Sequence, residues 1–259
     1  TNPVAAIGFL GRSKSVSLDA AQQLLQNLPV RLRASIQNKL GARAAILALL
    51  LDEDDSLHRK QISLIENDLG PDMVEEVRLL HAYVSSMDRV HRLVVIDICL
   101  PALSRLDRQA CTTFSSVVTF CMEVDDHIDL FEWLLGRIVL RRLEATISMA
   151  PPPDGKLGLR TVSNSAALAL AAVARRGASN EHDALKAYSA AVTHLAIDQE
   201  MPEPSRITLR RLGQALDELG EARIEVRGRI LEAILIACWD DEKISPGEFE
   251  MTRAVADGL

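Results

Sequence analysis

The chain is poor in aromatic residues: 2 Trp, 2 Tyr and 5 Phe make up 3% of 259 positions. Sheet-rich proteins draw heavily on aromatic and β-branched side chains, so this scarcity argues against an all-β architecture. Cysteine is equally sparse. Cys99, Cys111, Cys121 and Cys238 include no CxxC pair and sit among apolar neighbours. That pattern predicts buried free thiols in a reducing compartment, with neither a disulfide framework nor a zinc knuckle. Positive charge is also in deficit: 29 Lys and Arg stand against 36 Asp and Glu, a formal net charge of −7. A chain that repels phosphate on average is a poor partner for nucleic acid or anionic lipid. Arg137, Arg141, Arg142 and Arg160 are its best basic face, read here as a solvated one.

Long hydrophobic runs are missing too. The longest, at 93–103 and 166–174, fall short of the ~20 residues that a membrane-spanning helix needs, and Asp97 interrupts the first. No signal peptide precedes them. The expectation is a soluble, cytoplasmic domain with no direct membrane span. The first residue is Thr1 rather than Met, which predicts that the reading frame continues upstream.

Catalytic signatures are absent as well. The six histidines (His58, His81, His91, His127, His182, His194) never fall in His-Glu-x-x-His spacing, and there is no GxSxG, P-loop or GxGxxG. His194 and Asp198 stand four apart, the spacing of a solvated pair on one helix face. Cys99 or Cys121 with a distant His is the only nucleophile pairing the composition offers, and apolar surroundings predict inert thiols.

What the chain does contain is alanine, leucine and helical punctuation. Hydrophobic residues make up 48% of the sequence. Helices are expected near 18–28, 42–52, 59–69, 72–86, 89–100, 108–124, 130–149, 162–176, 182–196, 209–219, 227–238 and 246–259. Gly70 and Pro71 mark a stop and a start, and Pro101 ends or kinks a helix. The segments 42–52, 108–124 and 227–238 are apolar enough to be the buried ones. Residues 1–17 read as a flexible tail. The run Pro151-Pro-Pro-Asp-Gly155 lies in a linker or surface loop at 150–160, separating a helical domain at 18–149 from a helical segment at 161–259 that packs on it.

A motif recurs three times where an apolar helix meets an acidic corner and a second helix begins. The copies are Leu51-Asp-Glu-Asp-Asp-Ser-Leu-His-Arg-Lys-Gln61, Met122-Glu-Val-Asp-Asp-His-Ile-Asp-Leu-Phe-Glu132 and Trp239-Asp-Asp-Glu-Lys-Ile-Ser-Pro-Gly-Glu248. Aligned on Leu57, Ile128 and Ile244, each has Asp three positions earlier (Asp54, Asp125, Asp241) and Gln or Glu four positions later (Gln61, Glu132, Glu248). Clustered carboxylates suit calcium or magnesium, so Asp125, Asp126, Asp129 and Glu132, with Asp240, Asp241 and Glu248, are the candidate metal ligands. They do not form EF-hands: the twelfth position counted from Asp54, Asp125 and Asp240 is Ile65, Gly136 and Met251, none a bidentate Glu. Helix capping accounts for the same residues. Ser245-Pro-Gly-Glu248 is a capping box with Pro at the first helical position, and Asp129-Leu-Phe-Glu132 has a similar form.

These corners resemble the TerB-like, tellurite-resistance-type helical fold, most specifically in Val124-Asp-Asp-His-Ile-Asp-Leu-Phe-Glu-Trp133 and in 239–250. A wider resemblance rests on Asn27-Leu-Pro-Val-Arg-Leu-Arg33, Ala48-Leu-Leu-Leu-Asp52, Ile128-Asp-Leu-Phe-Glu-Trp133 and the closing 241–257. These segments look like the region that follows the peptidase domain in bacterial HtpX-like, CAAX-protease-type membrane zinc metallopeptidases. The resemblance implies an all-α, TerB-like multi-helix bundle without a catalytic residue of its own. Zinc would reside in the absent upstream peptidase region, and that region and protein substrates would be the partners. Two other readings remain: a divalent-cation sensor built on the corners, and an autonomous enzyme using Glu123, Asp125 and Glu132.

Overall fold

The computed structural model describes residues 30–124, 130–148, 155–238 and 246–259. The expected helix at 18–28, the tail at 1–17 and the heart of the proline-rich linker lie outside them. The described residues are all-α. Twelve α-helices and one short 3-10 turn carry the described residues, and the only β pairing among them is a single bridge between Leu157 and Ala222. Two compact units divide near Pro151, so each is taken by itself.

The first unit contains α1 (Val30–Ile36), α2 (Lys39–Leu49), α3 (Asp55–Leu69), α4 (Pro71–Val84), α5 (Arg89–Leu103), α6 (Arg108–Glu123) and α7 (Leu130–Ser148). Its axis is α2, buried continuously from Ala44 to Leu49. Such a helix is apolar on nearly every face, and α1, α4, α5 and α6 all lean on it. Gly41 admits the nearest of them. A Cβ at that position would collide with the Ser35 backbone carbonyl of α1. Side-chain oxygens start several helices: Asn38 accepts from the Leu40 and Gly41 amides, Asp88 from His91 and Asp107 from Ala110. Gly70 (φ 89°) ends α3, and Pro71 immediately opens α4.

Several boundaries differ from the sequence expectation. α2 begins three residues before Ala42, because Asn38 caps it there. α3 begins at Asp55 rather than Arg59, because Asp54 is its cap. α5 runs through Pro101 to Leu103, since a proline near a helix end forfeits only one main-chain bond. α6 is amphipathic rather than buried throughout. Cys111, Phe114, Val117, Val118 and Cys121 face the core, while Thr112, Ser116 and Phe120 are exposed.

The second unit comprises α8 (Ser163–Gly177), α9 (Glu181–Leu195), the 3-10 turn Pro204–Arg206, α10 (Leu209–Gly220), α11 (Ile224–Cys238) and α12 (Pro246–Gly258). Here α8 is the axis, and α9, α10, α11 and α12 all pack on it. Its buried face is Ser165, Ala166, Ala167, Ala169, Leu170, Ala171, Ala172, Val173 and Ala174. Alanines let four neighbouring backbones approach one rod, which a row of leucines would hold apart. α11 is buried mainly in its second half, from Ile230 to Cys238.

Candidate functional site

The first acidic corner can be followed atom by atom. Asp54 Oδ1 accepts from the Ser56 amide (2.8 Å), the Leu57 amide (3.1 Å) and the Ser56 hydroxyl (2.6 Å). These hydrogen bonds, led by the Ser56 hydroxyl, hold the Asp54 carboxyl below the usual aspartate range. Asp52 Oδ1 accepts from the Asp54 amide at 2.7 Å. Asp54 thus caps α3 through Oδ1, the capping role expected of the acidic corners.

Gln61, the residue four beyond Leu57, lies in the core with 1% exposure. Its Nε2 donates to the Leu50 carbonyl (2.8 Å) and the Cys121 carbonyl (3.0 Å), and its Oε1 accepts from the Asp52 amide (2.9 Å). Buried main-chain groups at a helix end need partners, and one carboxamide supplies them to the ends of both α2 and α6. Two histidines join the same junction. His58 Nδ1 donates to the Asp52 carbonyl (3.2 Å) and His81 Nδ1 to the Ala48 carbonyl (3.0 Å).

The candidate ligands of the other corners fall largely outside the described residues: Asp125, Asp126, Asp129, Asp240 and Asp241 in full, and Glu248 in its side chain. Glu132 is described, half-buried in the first turn of α7. Among the described residues no group of three or more His, Cys, Asp or Glu is arranged to hold a metal ion.

Burial pushes the Cys121 thiol up to about 12 and raises Cys99 further still, with Asp97 contributing. Thiols so far from ionisation are poor nucleophiles. His194 and Asp198 do not share a helix face, contrary to their spacing. α9 ends at Leu195 because Ala196 turns left-handed (φ 55°). His194 Nε2 instead meets Glu232 Oε2 of α11 at 3.1 Å.

In the second unit an open groove of about 360 Å³ runs between α9 and the extended segment 199–203. Leu185, Val192 and Met201 line it together with Ser189, Gln199 and the acids Glu181, Glu200 and Glu203. Leu185 is exposed. Arg175 braces one end: Nη2 lies 2.7 Å from Glu181 Oε1, and Nη1 donates to the Pro202 carbonyl. Tyr188 braces the floor. Its buried hydroxyl, pushed up to about 12 by desolvation, bonds the Gln199 (3.1 Å) and Glu200 (3.0 Å) carbonyls. Sequence reading missed this groove. Its one local signal was Met201-Pro-Glu-Pro204, two prolines that keep the wall segment extended.

No protein-family model, curated protein or solved structure matches the chain. No helix among the described residues is long and apolar enough to cross a membrane.

Proposed function

We propose that this chain is a TerB-like, non-catalytic regulatory or substrate-recruiting region of a bacterial HtpX-like membrane zinc metallopeptidase, and that it works by binding. The acidic-corner motif and the four segments quoted above support the parentage. One geometric observation supports the mode of action: the groove between α9 and residues 199–203, lined by Leu185, Val192 and Met201 together with the carboxylates of Glu181, Glu200 and Glu203. Such a groove accepts an apolar side chain from an extended or helical segment, while its carboxylates select basic residues beside it. With Arg175 committed to Glu181 and the Pro202 carbonyl, Glu200 and Glu203 are left to meet an incoming cation.

The cation-sensor reading rests on the middle corner, whose Asp125, Asp126 and Asp129 lie outside the described residues; at the first corner Asp52 Oδ1 and Asp54 Oδ1 accept from amides and a hydroxyl. Photo-crosslinking from Leu185 in the full reading frame tests the proposal. Adducts to a zinc peptidase region or its protein substrates, weakened by a combined Glu200→Lys and Glu203→Lys change, are expected. A folded protein that crosslinks to neither would overturn it.

A further inference from the structure

Two imidazoles from successive helices meet beside the first corner. His58 lies near the start of α3 and His81 in the last turn of α4, with ring centroids 5.7 Å apart and planes at 73°. Both are half-buried, within reach of solvent. Each Nδ1 faces a main-chain carbonyl, that of Asp52 in the corner for His58 and that of Ala48 in the last turn of α2 for His81. A carbonyl oxygen only accepts, so both Nδ1 atoms carry the hydrogen, and each neutral ring keeps its lone pair on Nε2. Metal-bearing histidines are anchored in the same way, with one ring N–H on a carbonyl and the other nitrogen on the ion. The spacing also fits. With metal–nitrogen bonds of about 2.0 Å, and each nitrogen roughly 1 Å from its ring centre, two imidazoles sharing an ion have centroids about 5–6 Å apart.

We propose that His58 and His81 form a two-histidine site for a zinc-type transition-metal dication. Imidazole nitrogen selects zinc, copper or nickel over calcium and magnesium, so this chemistry is distinct from that of the carboxylate corners. Among the described residues no third His, Cys, Asp or Glu completes the set, so water fills the remaining positions and the ion exchanges readily. A bound ion ties α3 to α4 where the two are already fastened to the corner and to the last turn of α2. The inference stands apart from the groove and from the proposed parentage.

The test is calorimetric titration of the EDTA-stripped chain with zinc sulfate in a non-coordinating buffer, alongside nitrogen NMR of the imidazoles. His58→Asn and His81→Asn are the informative variants, because an asparagine amide can replace Nδ1–H toward the carbonyl while removing the Nε2 ligand. Losing a ligand should cost at least as much as losing its outer-shell partner, so affinity should fall about tenfold or more in each. His194→Asn should bind as the parent does. Zinc should move both Nε2 resonances, and calcium neither. Absence of zinc binding, unchanged affinity in both variants, or unmoved His58 and His81 resonances would each overturn the assignment.

Discussion

Gln61 Nε2 lies 3.0 Å from the carbonyl oxygen of Cys121, sixty positions along the chain. Through that one amide, the middle of α3 is locked to the end of α6, and a second bond from the same nitrogen holds the end of α2. Replacing Gln61 by Leu strands the Asp52 amide and the Leu50 and Cys121 carbonyls away from water. The expected loss is about 3 kcal/mol, read as a lower urea midpoint by circular dichroism.

Gln61→Glu should behave differently with pH. A carboxylate there can accept from the Asp52 amide but faces two carbonyls it cannot bond. Burial and those carbonyls favour the neutral acid, so the folded pKa of the introduced Glu should exceed its unfolded value. The penalty is then greatest above the folded pKa and eases as pH falls through it toward the unfolded value near ~4.3. A pH series of urea melts, compared with Gln61→Leu, checks the sign. A penalty independent of pH would contradict it.

Asp54 titrates in the opposite sense. Its folded pKa is held below the unfolded value by the Ser56 hydroxyl and the Ser56 and Leu57 amides. The stabilisation is present above the unfolded pKa and is lost as pH falls through the folded one. Asp54→Ala should therefore lower Tm at neutral pH and converge on the parent in strong acid. Scanning calorimetry across that range would show whether the two curves meet.

Ala196 holds a left-handed conformation at the end of α9 and is exposed. An alanine pays roughly 1 kcal/mol there that glycine does not. Ala196→Gly should raise stability by up to that amount in urea unfolding, with the His194–Glu232 contact unchanged.

Cys99 and Cys121 are buried, and desolvation raises both thiols. Iodoacetamide at pH 8 should leave both unmodified in the folded chain and alkylate both in urea, as read by peptide mass spectrometry. Rapid alkylation of Cys121 in the native state would revive it as a nucleophile.

The helical class was legible from scarce aromatics, abundant Ala and Leu, and punctuation such as Gly70-Pro71, because these act through local backbone preference. Asp54 as the cap of α3 was not read from the sequence, which placed that helix from Arg59, although its partners lie only two and three residues away. Which helix became the second unit's axis was not legible either. The first unit's axis, read from the segment at 42–52, announced itself by being apolar on nearly every face. The alanines of α8 gave a modest signal, and only their neighbours show that small side chains were needed to seat four helices.

The sequence by itself determined that the chain is helical, roughly where its helices lie, that its cysteines are buried, and that an acidic corner recurs, since each follows from composition or from residues within a turn or two. Tertiary structure decided that Gln61 bonds to Cys121, that His58 faces His81, and that the 199–203 segment walls a groove against α9. Those relations join residues brought together by packing. Side-chain burial sets such distances, and no local spacing along the chain encodes them.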